Sequence, residues 1–115
     1  MSIRVQFRLR VYRDESIAIG PGKIALLEAI ARTGSISAAA RELGMSYRRA
    51  WLLVDETNRS LKAPAVHAAA GGAQGGGTAL TEVGEALIRH YRAVESTARS
   101  AAAKPLQALT DLLAD

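Results

Sequence analysis

Residues 34–58 read GSISAAARELGMSYRRAWLLVDETN and contain the signals for two short helices joined by a tight turn. Ser35 or Ser37 can cap the first helix, because a serine oxygen accepts hydrogen bonds from the free amides of a first helical turn. Gly44 is suited to end that helix, since glycine takes positive φ without steric cost. Ser46 follows as a cap for the second helix. The stretch therefore predicts a helix-turn-helix.

The start of the second helix carries the side chains that we expect to contact DNA. In a helix-turn-helix, this end of the second helix meets the base edges in the major groove. An arginine fork there can pair with guanine or hold a phosphate. An exposed leucine on the same face can meet a thymine methyl group. We predict DNA contacts by seven residues: Ser35, Ser37, Ser46, Tyr47, Arg48, Arg49 and Leu52.

Each predicted contact has an alternative explanation. The serines are helix caps first, although a helix N-terminus also suits a backbone phosphate. Arg48 and Arg49 can simply face solvent, Tyr47 can be a partly buried residue at the helix start, and Leu52 can pack in the core. Trp51 is the single tryptophan of the chain, and its position beside apolar residues favours the core.

The bulk composition limits the class of protein. The 115 residues predict one domain over 1–115, and the hydrophobic fraction of 49% is typical of a globular chain. A net charge of +4 and a pI near 10.0 favour an anionic partner, although weakly. The absence of cysteine excludes disulfides, thiolate zinc sites and a cysteine nucleophile. No apolar run approaches the roughly 18 residues of a membrane span, so we expect a cytoplasmic protein without a membrane partner.

The N-terminus alternates between apolar and polar residues from Ile3 to Val11, which predicts a half-buried strand over residues 3–13. A lone strand cannot bury its apolar face, so it must pair with a strand of this chain or of a second copy. Its polar face is rich in arginine. Those arginines either discourage aggregation at a sheet edge or reach a phosphate backbone.

The remaining segments complete a winged helix-turn-helix. Apolar spacing predicts a helix from Lys23 to Thr33. The uncharged stretch between two short apolar pieces predicts a hairpin, or wing, whose tip is the glycine-rich run at 71–77. We expect a mainly α fold with a small β component: helix-turn-helix at about 35–61, wing at about 65–80, and a long C-terminal helix at about 82–113, kinked or restarted at Lys104-Pro105.

No pattern in the chain indicates an enzyme. The glycine-rich run lacks the spacing and the lysine of phosphate-binding loops. His67 and His90 have no second ligand at metal-binding spacing, and no two carboxylates stand at a plausible catalytic spacing. We therefore predict no catalytic residue, no metal ligand and no cofactor.

Several motifs resemble the N-terminal domain of ModE-type, molybdate-dependent transcriptional regulators, which is related to the DNA-binding domain of LysR-type regulators. They are GPGKIALLEAI at 20–30, GSIS at 34–37, GMSYRRAW at 44–51, Asn58, and Leu80-Thr81 with Gly84. The resemblance implies a homodimer in which N-terminal strands and the long C-terminal dimerisation helix form the interface. It also implies that the two recognition helices bind double-stranded DNA at an inverted-repeat operator.

Two departures from that family affect the expected function. Molybdate-sensing members carry C-terminal oxyanion-binding domains, whereas this chain ends at Asp115. We therefore expect a stand-alone regulator or a fragment, with no molybdate site. The family wing commonly carries basic residues, whereas here it is uncharged from His67 to Gln74. The resulting hypothesis is a dimeric, sequence-specific transcriptional regulator. The alternatives are a winged-helix protein-interaction module and a non-specific architectural DNA binder.

Overall fold

The structure is a computed structural model that describes residues 2–69 and 77–115. Within these ranges it forms helices and two short antiparallel strand pairs, which confirms the predicted mainly α winged helix-turn-helix. In chain order the elements are β1 (Val11–Arg13), β2 (Ser16–Ile19), α1 (Pro21–Thr33), α2 (Ile36–Glu42), α3 (Tyr47–Ser60), β3 (Val66–Ala69), β4 (Gly77–Leu80), α4 (Glu82–Ala101) and α5 (Ala103–Thr110).

The strand predicted over residues 3–13 is wrong in its extent. Only its last three residues form β1, which pairs with β2 across a turn where Asp14 adopts a φ of 55°. Residues 2–10, here called the N-terminal segment, pair with no strand in the described part of the chain. The strand is shorter than predicted because alternation of apolar and polar residues favours only an extended backbone. A β-strand also needs a neighbouring strand to complete its hydrogen bonds.

The N-terminal segment lies along α4 and keeps its alternation. Val5, Phe7 and Leu9 are half-buried, while the residues between them are exposed. The Leu9 carbonyl accepts a hydrogen bond of 2.8 Å from the Tyr91 hydroxyl, and the Val5 carbonyl accepts one of 3.2 Å from Arg99. The Arg99 guanidinium also lies 5.3 Å from the centre of the Phe7 ring. The segment therefore runs antiparallel to α4, with its apolar residues towards that helix.

The core lies where α1 packs against α2 and α3. Ile24, Leu27 and Ile30 on α1 are at most 1% exposed, which confirms the spacing that predicted this helix. Small residues of the helix-turn-helix, such as Ala40 and Ala50, are buried against them and allow the helices to approach closely. Gly34 ends α1 with a φ of 72°, a conformation that disfavours residues with a Cβ.

The predicted C-terminal helix over 82–113 is two helices. Thr81 caps α4, since its hydroxyl accepts a hydrogen bond of 3.1 Å from the Gly84 amide. The break falls at Ala102, whose φ of −93° and ψ of 3° are not helical. Pro105 is the cause, because it lacks the amide that would continue the ladder and its ring would collide with the carbonyl four residues earlier. No helix within residues 2–69 and 77–115 is long and apolar enough to cross a membrane.

A charged cluster fixes α4 to α1. The Arg92 guanidinium donates hydrogen bonds to both carboxylate oxygens of Glu28, at 2.9 and 2.6 Å, and one to Glu95 at 2.6 Å. The hydrogen bonds from Arg92 lower the pKa of the Glu28 carboxyl below its ordinary value, despite the partial burial that opposes this shift. The orientation of α4 is therefore set by charge as well as by apolar packing.

Candidate nucleic-acid interface

The turn between α2 and α3 is built from local caps. The Ser35 hydroxyl accepts a hydrogen bond of 3.1 Å from the Ala38 amide, so Ser35 rather than Ser37 is the cap of α2. Gly44 takes a φ of 68° in the turn, and the Ser46 hydroxyl caps α3 by accepting 3.1 Å from the Arg49 amide. These bonds determine where α3 begins, and with it the position of every side chain on that helix.

One face of α3 is buried and the opposite face is open to solvent. Ala50, Val54 and Thr57 pack into the domain. Arg48 and Leu52 lie on the opposite side, where Leu52 is 41% exposed. An arginine and an exposed leucine near the start of a capped second helix offer a guanidinium for guanine and an apolar group for a thymine methyl in the major groove.

The solvent-facing arginines of α3 differ in their ion pairs. The Arg59 guanidinium lies 3.0 Å from an Asp55 carboxylate oxygen, so part of its charge is already compensated. Arg48 has no ion pair among the residues that the structure describes. Arg48 is therefore the uncompensated charge on this face near the N-terminal end of α3.

Arg48 and Arg49 are neighbours in sequence but do not share a surface. Successive helical residues are rotated by about 100°, which moves Arg49 to one flank of α3. There it lines a cleft together with Glu56 of the same helix and residues of β1 and β2. Arg48 and Arg49, which the sequence predicted to contact DNA together, thus lie on two different surfaces of α3.

Trp51 is not in the core, contrary to the sequence-based expectation. It is 47% exposed, and Tyr47, one helical turn earlier, is 54% exposed. Its apolar character suggested burial, but Trp51 lies about 100° from the buried Ala50 and outside the narrow face that packs. Placing Trp51 together with Tyr47 at i, i+4 would have revealed this exposed aromatic flank.

The other predicted contacts lie at the start of α2 or in the cap and first two turns of α3. Ser37 is exposed in the first turn of α2, Ser46 is exposed at the cap of α3, and Ser35 is half-buried at the cap of α2. Tyr47, Arg48, Arg49 and Leu52 are all exposed on α3, although on different sides of the helix.

The base of the wing is tied to α3 by Asn58. Its side-chain oxygen accepts from the Ala65 amide at 2.8 Å and the Val66 amide at 3.2 Å. Its side-chain nitrogen donates to the Val66 carbonyl at 3.2 Å. The sequence gives no indication of this role for Asn58, because an asparagine eight residues before a strand carries no local signal of this kind. The side-chain amide of Asn58 therefore fixes the position at which the wing leaves the domain.

The wing is also attached to the turn before α2, because the Thr78 amide donates to the Gly34 carbonyl at 2.9 Å. β3 and β4 pair in antiparallel register, with Val66 opposite Leu80. The predicted glycine-rich tip at 71–77 lies outside the described residues, apart from Gly77. Among residues 2–69 and 77–115, no three His, Asp or Glu side chains are grouped as a metal site would require.

Residues 22–85 match the family described as "Bacterial regulatory helix-turn-helix protein, lysR family". The molybdenum-pterin-binding protein MopB of Rhodobacter capsulatus is 56% identical over 78 residues, covering 68% of this chain and 29% of that protein. The molybdenum transport protein ModE of Azotobacter vinelandii is 43% identical over 94 residues, covering 82% and 35%. The DNA-binding transcriptional dual regulator ModE of Escherichia coli (strain K12) is 36% identical over 89 residues, covering 77% and 34%.

These matches confirm the resemblance to ModE-type proteins, and the chain spans about a third of the length of the curated relatives it matches. The family match extends over the helix-turn-helix, both wing strands and the first turn of α4. It therefore covers the surface built around α3. The chain belongs to the lysR family of bacterial regulatory helix-turn-helix proteins.

Proposed function

We propose that the chain is a cytoplasmic, dimeric transcriptional regulator that binds double-stranded DNA at specific inverted repeats. The observation that carries the proposal is the solvent face of α3, where Arg48 and the exposed Leu52 lie opposite the buried Ala50 and Val54. Arg48 would donate to guanine or to a phosphate, and Leu52 would contact a thymine methyl group. We assign no molybdate site to residues 1–115.

The helix caps support phosphate contacts around the same groove. Ser46 and Ser37 are exposed near the N-termini of α3 and α2, where amides and hydroxyls suit an anionic backbone. Such contacts hold the protein in register but carry no sequence information by themselves. Specificity would then come mainly from the α3 face that Arg48 and Leu52 occupy.

A homodimer is supported by apolar surface that the single chain leaves open. Val94 on α4 and Leu109 on α5 are 51% and 62% exposed, and Leu112 and Leu113 beyond them are 83% and 57% exposed. The N-terminal segment also has backbone groups without a strand neighbour within the described residues. A two-fold dimer formed through these parts would bind half-sites roughly 34 Å apart.

The test is selection of duplexes from a random-sequence pool, followed by salt titration of the enriched DNA. We expect an inverted repeat, a steep fall in affinity with salt, and a loss of about 1–3 kcal/mol in Arg48→Ala. Arg89→Ala is the matched control, because Arg89 is on α4, which is not part of the helix-turn-helix. Enrichment of no sequence, or equal affinities for the two variants, would contradict the proposal.

A second candidate function is a protein-interaction module. The exposure of Tyr47 and Trp51 favours it, since aromatic side chains are enriched at protein interfaces. Duplex binding by the wild-type chain, measured across salt concentrations, separates the two functions. An interaction module would show no salt-dependent duplex binding.

A further inference from the structure

A cleft of about 880 Å³ lies beside α3, between that helix and the β1–β2 hairpin. Arg49 and Glu56 of α3 form one wall, and the hairpin with the end of the N-terminal segment forms the other. Asn58, which holds the wing, is nine residues after Arg49. At about 100° per residue the two lie on opposite sides of α3. The cleft therefore flanks α3 on the side away from the wing.

Positive charge dominates the lining of this cleft. Three carboxylates, Asp14, Glu15 and Glu56, face six cations. Those cations are Arg8, Arg10, Arg13, Lys23, Arg49 and Arg59.

Two of the six cations are already engaged. Lys23 donates to the Ile17 carbonyl at 2.7 Å and lies 3.6 Å from a Glu56 carboxylate oxygen, while Arg59 pairs with Asp55. The remaining four have no ion pair among the described residues, and each is exposed. They are Arg8, Arg10, Arg13 and Arg49, and we call them the cleft arginines.

The distribution of these charges favours an extended anion over a small one. A small-anion site holds its ligand with desolvated donors, but the buried cation here, Lys23, already has two partners. The cleft arginines stand instead on two walls and face solvent. The phosphates of a DNA strand, spaced along a groove edge, match donors that are arranged in this way.

We propose that the cleft arginines bind the DNA backbone on the side of α3 away from the wing. This inference rests on the proposed function, because it requires α3 to be in the major groove. The hairpin and the end of the N-terminal segment then take the phosphate-binding role that the uncharged described part of the wing, Val66–Ala69 and Gly77–Leu80, is poorly equipped to fill. The exposed arginines of the N-terminal residues thereby contact DNA rather than only preventing sheet-edge aggregation.

The test compares two triple variants of the whole chain that remove the same charge. One is Arg8→Gln, Arg10→Gln and Arg13→Gln. The control is Arg4→Gln, Arg89→Gln and Lys104→Gln, whose three side chains lie outside the cleft lining. Binding to the duplex enriched by the wild-type chain is measured across salt concentrations, with thermal unfolding and sedimentation to verify fold and assembly.

In the cleft triple variant we expect the slope of log affinity against log salt to fall by about 0.9 for each phosphate that is no longer neutralised. When salt is raised from about 50 to 200 mM, the variant should therefore lose about 3-fold less affinity than the wild type for each phosphate contact that was removed. The control should keep a slope close to wild type. Equal slopes in the two triple variants would overturn the inference.

The outcomes separate this inference from the proposed function. If the wild-type chain binds no duplex, the proposed function fails first. If it binds and Arg48→Ala weakens it, but the two triple variants behave alike, the cleft inference alone fails. Calorimetric titration with inorganic phosphate, without DNA, tests whether the cleft instead binds a small anion. Saturable binding that is abolished in the cleft triple variant, together with an unchanged salt slope for DNA, would assign the cleft to a small anion and overturn the inference.

Discussion

Helix α1 and the N-terminal segment both carry apolar residues at regular intervals, but they are buried to different degrees. Ile30 on α1 is fully buried, whereas Ile3 in the segment is 55% exposed. α1 packs against α2, α3 and α4 of its own chain. The segment has α4 on one side and no strand neighbour within the described residues. Burial is therefore decided by how many neighbours the chain supplies, and in the proposed dimer a second copy would supply the neighbours that the segment lacks.

The same substitution in the two regions gives the largest expected contrast. Ile30→Ala should lower the free energy of unfolding by about 2–5 kcal/mol, because it leaves a cavity in the core. Ile3→Ala should lower it by less than about 0.5 kcal/mol in the single chain, since the side chain is mostly exposed. Urea unfolding at concentrations where sedimentation finds monomers measures both values.

The matching assembly experiment uses higher protein concentration. There Ile3→Ala should weaken self-association, whereas a substitution outside the apolar surface, such as Arg89→Ala, should not. If Ile3→Ala and Ile30→Ala destabilised the monomer equally, the N-terminal segment would be part of the core. The difference in burial between the segment and α1 would then be contradicted.

Gly84, where α4 meets the base of the wing, and Gly22, in the first turn of α1, allow a second comparison. A Cβ at Gly84 would overlap the Ala65 carbonyl oxygen and lie 3.1 Å from its carbon, and both atoms belong to backbone. Gly84→Ala should therefore cost about 1–3 kcal/mol of stability by forcing α4 away from the wing base. Gly22→Ala is the control, because a Cβ there meets nothing within 4 Å.

Gly22 lies in the first turn of α1, so its replacement by alanine should raise stability by up to about 1 kcal/mol. Thermal unfolding of both variants gives the comparison. A Gly84→Ala protein as stable as wild type would mean that α4 can shift without cost, and that its attachment is looser than the core of α1.

The regions also differ in how much the sequence reveals. The caps at Ser35 and Ser46 act within three residues, so a local pattern was sufficient to predict the helix-turn-helix. The extent of the first strand depends on a neighbouring strand, which a local pattern cannot supply. The structural role of Asn58 is not predictable for the same reason, since its partners lie at the base of the wing.

The candidate site was predicted as a set of residues but not as a surface. All seven proposed DNA contacts lie on α2, on α3 or at their caps. Spacing alone predicts the centre of the buried face of α3, but the width of that face depends on the helices that pack against it. For that reason the sequence did not separate the flank position of Arg49 from the open face of Arg48, and it put Trp51 in the core. Side-chain direction on α3 follows from packing against α1, and only the folded chain supplies that packing.

The smallest expected effect concerns the bridge that connects the two helices, between Glu28 of α1 and Arg92 of α4. Arg92 lowers the pKa of the Glu28 carboxyl below 4.5, so the bridge stabilises the folded state above about pH 4.5. That contribution disappears as pH falls through the lowered pKa. Because both side chains are partly exposed, Glu28→Gln should cost less than about 1 kcal/mol at pH 7.

Unfolding measured from pH 7 to pH 3 tests the sign as well as the size of this effect. The stability difference between wild type and Glu28→Gln should be constant above about pH 5 and shrink below pH 4.5, as the wild-type carboxylate takes up its proton. In an Arg92→Gln background the same substitution should have little effect at any pH, because the group that lowers the pKa is gone. A difference that grew towards acid pH would mean that burial, rather than Arg92, controls Glu28. The contact between α1 and α4 would then depend on apolar packing alone.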